Sequence, residues 1–478
     1  MNPITIAAID KILILVYLAG ILFIGLWSSK RQRGDDVNFL LAGRRLSLPA
    51  FTATLVSTWY GGILGIGEFT HRYGLLNWVT QALPYYLFAV IFALLIAPKI
   101  RKTELFTIPD QLYNHYGQTA GFIGSIYIFL LVSPASHLLM LSILFRAIFG
   151  IPFWISVFAA VCFSTLYVFF GGFKSVVRTD LFQFFLMFSG FIMLVFILYH
   201  QFGGIDFLRD ALPDTHLRLD GGQSPQYIVV WFFIALWTFV DPGFYQRCYA
   251  VKTPRTARNG ILLAILFWIV FDFFTTTAGL YARAIYPDIS GLMAFPALGE
   301  KVLPPIACGL FFIALMATIM STLDSNSFLA AVTFGRDIAW RNCQRINVTT
   351  ATQLGLALTL IFSILLLTFV PSVIKIWYLM GSLIIPSLLI PLLAVFFHRI
   401  RISRNATVAA MVIAFCLSFF WLFAGILRSS LFAPLFPLNI QPFFSGLSGA
   451  LAVYGFHWLK NIWRRRHSDL IRNNHESY

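Results

Sequence analysis

Apolar runs close to the length of a membrane span follow one another almost without pause from Ile12 to Trp463, separated by short polar stretches rich in Lys, Arg, Pro and Gly. An α-helix needs about 20 mostly apolar residues to cross a hydrocarbon core about 30 Å thick. Applied along the chain, that rule predicts thirteen transmembrane helices, at roughly 10–28, 48–73, 75–98, 119–148, 152–171, 179–201, 226–246, 259–285, 303–332, 352–371, 374–398, 406–427 and 441–463. The expected fold class is an all-α polytopic membrane protein, a single transmembrane domain over residues 1–478. The first run has no basic head before it and no small-residue cleavage motif after it, which predicts a retained first helix.

Composition strengthens this picture. Of the 478 residues, 59% are hydrophobic and 11% charged, against about 25% charged in soluble domains. The net charge of +15 is carried by small basic clusters between apolar runs, a topology signal rather than a nucleic-acid surface. With the N-terminus outside and the C-terminus inside, 25 of the 34 lysines and arginines, Arg247 among them, fall in inside segments and 9 outside, as the excess of cytoplasmic Lys and Arg requires. The triplet at 464–466 then reads as an anchor near anionic lipid headgroups. The five cysteines, Cys162, Cys248, Cys308, Cys343 and Cys416, have neither metal-ligand spacing nor a disulfide pattern and are expected to be packing residues. No loop carries a Walker sequence, HExxH or another paired catalytic signature, so an enzyme is not expected.

Polar chemistry inside the spans is where function is expected. The 48–73 segment holds Gly61, Gly62, Gly65 and Gly67 in mid-span beside Ser57, Thr58, Trp59 and Tyr60. Small residues let helices approach closely, but four glycines in seven positions exceed what packing needs, and the pattern predicts an unwound stretch that frees backbone groups for a ligand. In the 226–246 segment, Asp241, Pro242 and Gly243 mark either a kink or a functional break. In the 303–332 segment, Thr318, Ser321, Thr322 and Ser325 share one helix face as a hydroxyl stripe, with Asp324 on an adjoining face. Such hydroxyls can bond back to their own helix, yet a stripe of oxygens beside a carboxylate suits a hard cation. Thr179, Asp180 and Gln183 stand where the 179–201 segment enters the membrane. A carboxylate there requires a partner, either a functional cation or a salt bridge to Arg178 or Lys174.

Four ordered motifs, the glycine-interrupted 48–73 segment, GGFKSVVRTDLFQ, DPGFYQRCYAVK and MSTLDSNSFLAAVTFGRDI, together with FLLAGRRL before them, resemble the sodium:solute symporter family. The resemblance implies a LeuT-like five-plus-five inverted repeat, about 46–201 and about 226–398, with one leading and two trailing helices. It implies a sodium site at the carbonyls of Leu55, Thr58 and Thr318 and the hydroxyls of Ser321 and Thr322. The second sodium site of some members corresponds to Asp180, Ser321, Asp324 and Ser325, with aspartate at 324 where those members have serine. Substrate positions of the proline and sugar carriers correspond to Ser57, Gly62, Ile234 and Thr238, which disfavours proline and hexose.

The function expected is import of a small polar organic solute across the plasma membrane, such as a bacterial inner membrane, with Na⁺ as the coupling ion and no other cofactor. The alternatives are a proton-coupled carrier of the same fold and a transporter-like sensor or channel. Solute contacts are expected from Tyr60, Gly61, Gly62, Trp237, Thr238, His137 and Asp272, although a packed, satisfied histidine also fits His137. The charge partition yields a direct test of orientation: a cysteine placed at Gly222 should react with an impermeant thiol reagent from outside intact cells, and one at Thr253 should not. Reversed labelling would overturn the N-out orientation.

Overall fold

The computed structural model describes residues 4–29, 36–429 and 434–475. The basic residues at 30–33 and the side chains at 464–466, which the charge partition counts, lie outside the described residues. The described backbone is helical, with one isolated bridge between Leu46 and Val251. It forms two compact units, residues 1–106 with 132–377 and residues 107–131 with 378–478.

Ten helices among the described residues are long and apolar enough to cross a membrane. The 48–73 segment is divided into two shorter helices. The predicted spans at 152–171 and 179–201 run within one helical stretch, Phe153–Phe202, broken at Gly172 (φ 55°, ψ −151°). Only glycine adopts that conformation readily, and a side chain there would strike the carbonyl of Phe39. The last predicted span lies in the helix Pro442–His475.

In the first unit, the helices that position the site are α1 (Ala8–Ser29), α2 (Leu48–Trp59), α3 (Ile63–Tyr73), α4 (Leu83–Leu95), α5 (Ala135–Phe149), α6 (Phe153–Phe202), α7 (Pro242–Ala250), α8 (Pro254–Ile285), α9 (Ala307–Val332) and α10 (Val348–Phe369). Local sequence sets their ends. Ser47 accepts from the N–H of Ala50 at 3.4 Å and Pro49 sits in the first turn of α2, while Thr253 accepts from Thr256 at 3.1 Å before Pro254 opens α8. Helix α9 is buried along almost its whole length and packs against α1, α2, α5, α6 and α10. Gly190 of α6 faces Ala314 of α9 with no room for a side chain, a small-residue contact of the kind that drives helix association in lipid.

In the second unit, Ile108–Tyr116 and Gln118–Leu131 fold back on each other at Gly117 (φ 86°). Gly121 and Gly124 make space for Tyr113 and Leu112. The hydroxyl of Tyr127 donates to the carbonyl of Met411 at 3.4 Å, and its ring stacks on Phe415 at 5.1 Å.

All five cysteines are unpaired, and Cys248 and Cys308 are buried as expected. Cys162 and Cys343 are exposed instead, Cys162 because its side of α6 faces outward from the helices.

The first turn of α1 also terminates α9. Asp10 is 1% exposed and accepts the N–H of Ile306 at 2.7 Å and of Gly309 at 3.0 Å, orphan donors at the start of a helix that lipid cannot satisfy. Asp10→Ala should lower the stability of the detergent-purified protein by about 1 kcal/mol, read as a fall in apparent Tm, while Asp10→Asn retains most of it. An unchanged Tm in Asp10→Ala would show that the cap contributes nothing.

Candidate functional site

The glycine-rich segment is broken, although differently from the expectation of an unwound stretch. Between α2 and α3 the backbone tightens into a single 3₁₀ turn, Tyr60–Gly62. Its glycines are points of close approach. A side chain on Gly61 would run into Thr322 and His137, and one on Gly62 into the indole of Trp377. Trp377 donates to Ser136 at 3.0 Å, and Ser136 lies 3.3 Å from Nδ1 of His137. The break is thus wrapped by side chains from α5, α9 and the helix that begins at Val373.

The hydroxyl stripe of α9 faces this break. Thr322 donates to the carbonyl of Thr58 at 2.6 Å, and Ser321 donates to Oδ1 of Asp180 at 2.6 Å. Asp180 is fully buried and also accepts from Thr54. The hydroxyls of Thr58 and Ser325 lie 3.1 Å apart. Thr58, Asp180, Ser321, Thr322 and Ser325 are therefore gathered at one place by α2, α6 and α9. Leu55 and Thr318 lie on the same two helices about one turn away. The hydroxyl of Thr318 donates back to the carbonyl of Ala314 at 2.7 Å.

Asp324 stands outside this group. It accepts from Ser164 and Tyr167 of α6, because its place on the helix turns it away from the stripe.

An unforeseen cation completes the cluster. Arg247, counted from sequence among the inside-loop charges, is 0% exposed. Its Nη2 lies 3.1 Å from the hydroxyl of Thr54, 2.7 Å from Thr58 and 3.0 Å from Ser325. Its distance to Oδ2 of Asp180 is 3.7 Å. Neither Arg178 nor Lys174 takes the role expected of the salt-bridge partner. The DPG sequence explains the placement: Asp241 accepts from Gly243 at 2.6 Å and, with Pro242, starts α7 as a new helix, which carries Arg247 inward. Since the 3₁₀ turn Ala235–Phe239 ends just before it, the feature is a break and not merely a kink.

The expected solute residues fall into three groups. Tyr60 is buried, donates to the carbonyl of Trp268 at 3.0 Å and packs on Phe271 at 4.4 Å. Its neighbour Asp272 accepts from Tyr86 of α4. Gly61, Gly62 and His137 meet at the break as described. Trp237 and Thr238 lie on the Ala235–Phe239 turn, which packs against α4, and the Thr238 hydroxyl is buried without a hydrogen-bond partner. Trp59 was not among the expected solute residues but stands beside them. It is half-buried, edge-on to Tyr85 at 5.0 Å and tilted over Trp268 at 5.1 Å. Thr54, one turn before Thr58, was legible in principle from the four-residue spacing. Tyr86, Trp377 and Arg247 were not, since they come from distant segments.

The comparisons with known proteins agree with this architecture. The profile of the sodium:solute symporter family matches residues 39–414. The sodium/pantothenate symporter of Escherichia coli strain K12 is 27% identical over 360 residues, 71% of this chain and 74% of that protein. High-affinity choline transporter 1 of Drosophila melanogaster is 25% identical over 439 residues, 84% of this chain and 69% of that protein. Among solved structures, a Na⁺-coupled sialic acid symporter in a substrate-bound outward-open state superimposes with a TM-score of 0.77 at 17% identity, covering 95% of this chain and 97% of that one. At that identity the likeness is one of fold.

The packing at the break is testable. Gly62→Ala would force Trp377 to move and should cost about 1–3 kcal/mol, as overpacking does, seen as a lower apparent Tm. Gly20→Ala, inside α1 at a position with nothing within 4 Å, should not lower it, since alanine suits a helix interior better than glycine. Equal behaviour of the two variants would contradict the packing of Trp377 on Gly62. A helix broken at its glycines, met by a hydroxyl-bearing helix over a buried carboxylate, and a profile match across most of the chain lead to one conclusion: this is a transporter, not an enzyme, and it belongs to the sodium:solute symporter family.

Proposed function

We propose that this chain is a sodium-coupled symporter that imports a small polar organic solute across the plasma membrane. In this reading it is one thirteen-helix domain with repeats at about 46–201 and 226–398, N-terminus outside and C-terminus cytoplasmic. The observation that carries it is the 2.6 Å bond from Thr322 to the carbonyl of Thr58. It holds the broken helix and the hydroxyl stripe face to face, at the place where a hard cation finds oxygen ligands. Leu55, Thr58 and Thr318 would contribute carbonyl oxygens, and Ser321 and Thr322 hydroxyl oxygens. Each ligand hydroxyl now donates to another oxygen, so its lone pairs are the part offered to the ion.

Sodium bound there ties α2 to α9, and the solute would sit against the adjoining Tyr60–Gly62 turn. Coupling then follows from linkage: ion and solute both favour the conformation in which the break and α9 are in contact, so each raises the affinity for the other. His137 lies against Gly61 of the turn, and Asp272 follows Phe271, on which Tyr60 packs. Trp237 and Thr238 belong to the other interrupted helix, and the unpaired Thr238 hydroxyl is a donor and acceptor that a polar solute could satisfy.

Ser321→Ala/Thr322→Ala removes two oxygen ligands, each worth roughly 1.5–3 kcal/mol to a charge. At about 1.4 kcal/mol per decade, the half-saturating Na⁺ concentration for uptake into proteoliposomes should rise at least tenfold. Intact transport with unaltered Na⁺ dependence would overturn the sodium site and favour proton coupling.

A further inference from the structure

A guanidinium withdrawn from water in a membrane-spanning core is expensive to bury, and usually persists because a carboxylate grips it through a two-pronged fork. Arg247 is held otherwise. Its nearest partners are three neutral hydroxyls, Thr54, Thr58 and Ser325, all met by the single nitrogen Nη2 at 2.7–3.1 Å. Asp180 is farther, at 3.7 Å. The other terminal nitrogen donates only to the carbonyl of Gly243, at 3.3 Å, within its own helix. Its Nε is buried and makes no hydrogen bond. The ring of Phe173 covers the group, 5.6 Å from its carbon.

The Nη2 end of a cation ringed by hydroxyl oxygens, with a carboxylate just behind them, has the form of an ion in an oxygen cage. Asp180, in turn, takes its close hydrogen bonds from Thr54 and Ser321, leaving its charge to act on whatever fills the cage. Arg247 reaches the hydroxyls of Thr58 and Ser325 from α7.

We infer that the pocket bounded by Thr54, Thr58, Asp180 and Ser325 is a monovalent-cation site whose resident occupant is the tethered guanidinium of Arg247. Free Na⁺ is thereby confined to the neighbouring site at Ser321, Thr322 and the carbonyl of Thr58, and one Na⁺ is bound per carrier. Thr58 joins the two, with its hydroxyl on the guanidinium and its carbonyl on the sodium side, so movement of α2 alters both. The stoichiometry rests on the sodium reading above, whereas the cage does not.

The test uses the full-length purified protein. Equilibrium binding of radioactive Na⁺ should give one equivalent in the parent, with a Hill coefficient of one. Arg247→Ala empties the cage and should bind a second equivalent of Na⁺, lost again in Arg247→Ala/Asp180→Asn. Guanidinium chloride at low millimolar concentration should raise the apparent Tm of Arg247→Ala saturably and leave that of the parent unchanged. Two equivalents in the parent would overturn the inference, as would a folded Arg247→Ala that takes up neither a second Na⁺ nor guanidinium. Where Arg247→Ala does not fold, Arg247→Lys, which keeps a tethered cation, and the parent stoichiometry decide: one equivalent in each supports the inference and two in either overturns it. Absence of Na⁺ binding in the parent would remove the sodium reading, and the guanidinium response of Arg247→Ala would still decide the cage.

Discussion

Asp180 is the constraint around which the centre of this protein is built. A carboxylate on a membrane-spanning helix has no water to solvate it, and every donor it requires must come from the protein. Three helices supply them: Thr54 from α2, Ser321 from α9 and the charge of Arg247 from α7. Because the donors lie on separate helices, the position of each is set by the same buried charge. A shift in any one leaves an unpaired polar group in a medium that penalises it, so these helices are coupled before any ligand binds.

The break between α2 and α3 converts that coupling into a binding surface. A continuous helix would spend the carbonyl of Thr58 within itself. The 3₁₀ turn at Tyr60–Gly62 releases it toward Thr322, and the missing side chains of Gly61 and Gly62 let α9, His137 and Trp377 come up to the backbone. The second break, at Asp241 and Pro242, does something different. It restarts a helix pointing inward and carries a cation to the back of the same cluster. One interruption exposes oxygens, and the other delivers positive charge to them.

Helix α9 links the two. It is apolar and buried around nearly its whole circumference, as a helix at the centre of a bundle must be. Its few polar residues therefore point at particular neighbours. The Ser321, Thr322 and Ser325 face meets α2, α6 and α7, while Asp324 meets Ser164 and Tyr167. Its first turn is capped by Asp10 from α1, so the leading helix fixes the end of the helix that bears the hydroxyls.

By itself the sequence determined what depends on local pattern. Run length and low charge established a polytopic helical membrane protein, the glycines at 61, 62, 65 and 67 located a break, and the four-residue spacing of Thr318, Ser321, Thr322 and Ser325 identified a hydroxyl face. Each is legible because helix periodicity and span length act within about one segment. Tertiary structure decided which segment each face meets. Arg247 reads as a loop charge because it follows a proline near the end of an apolar run, and only the reorientation of α7 buries it. Trp377, Tyr86 and Asp10 gain their roles from partners far away in the chain. The break itself closed into a 3₁₀ turn because Thr322, His137 and Trp377 pack against it. A sequence specifies the angle at which a side chain leaves its helix, but the partner that satisfies a buried polar group is chosen by how the helices pack, since in lipid no solvent can take that partner's place.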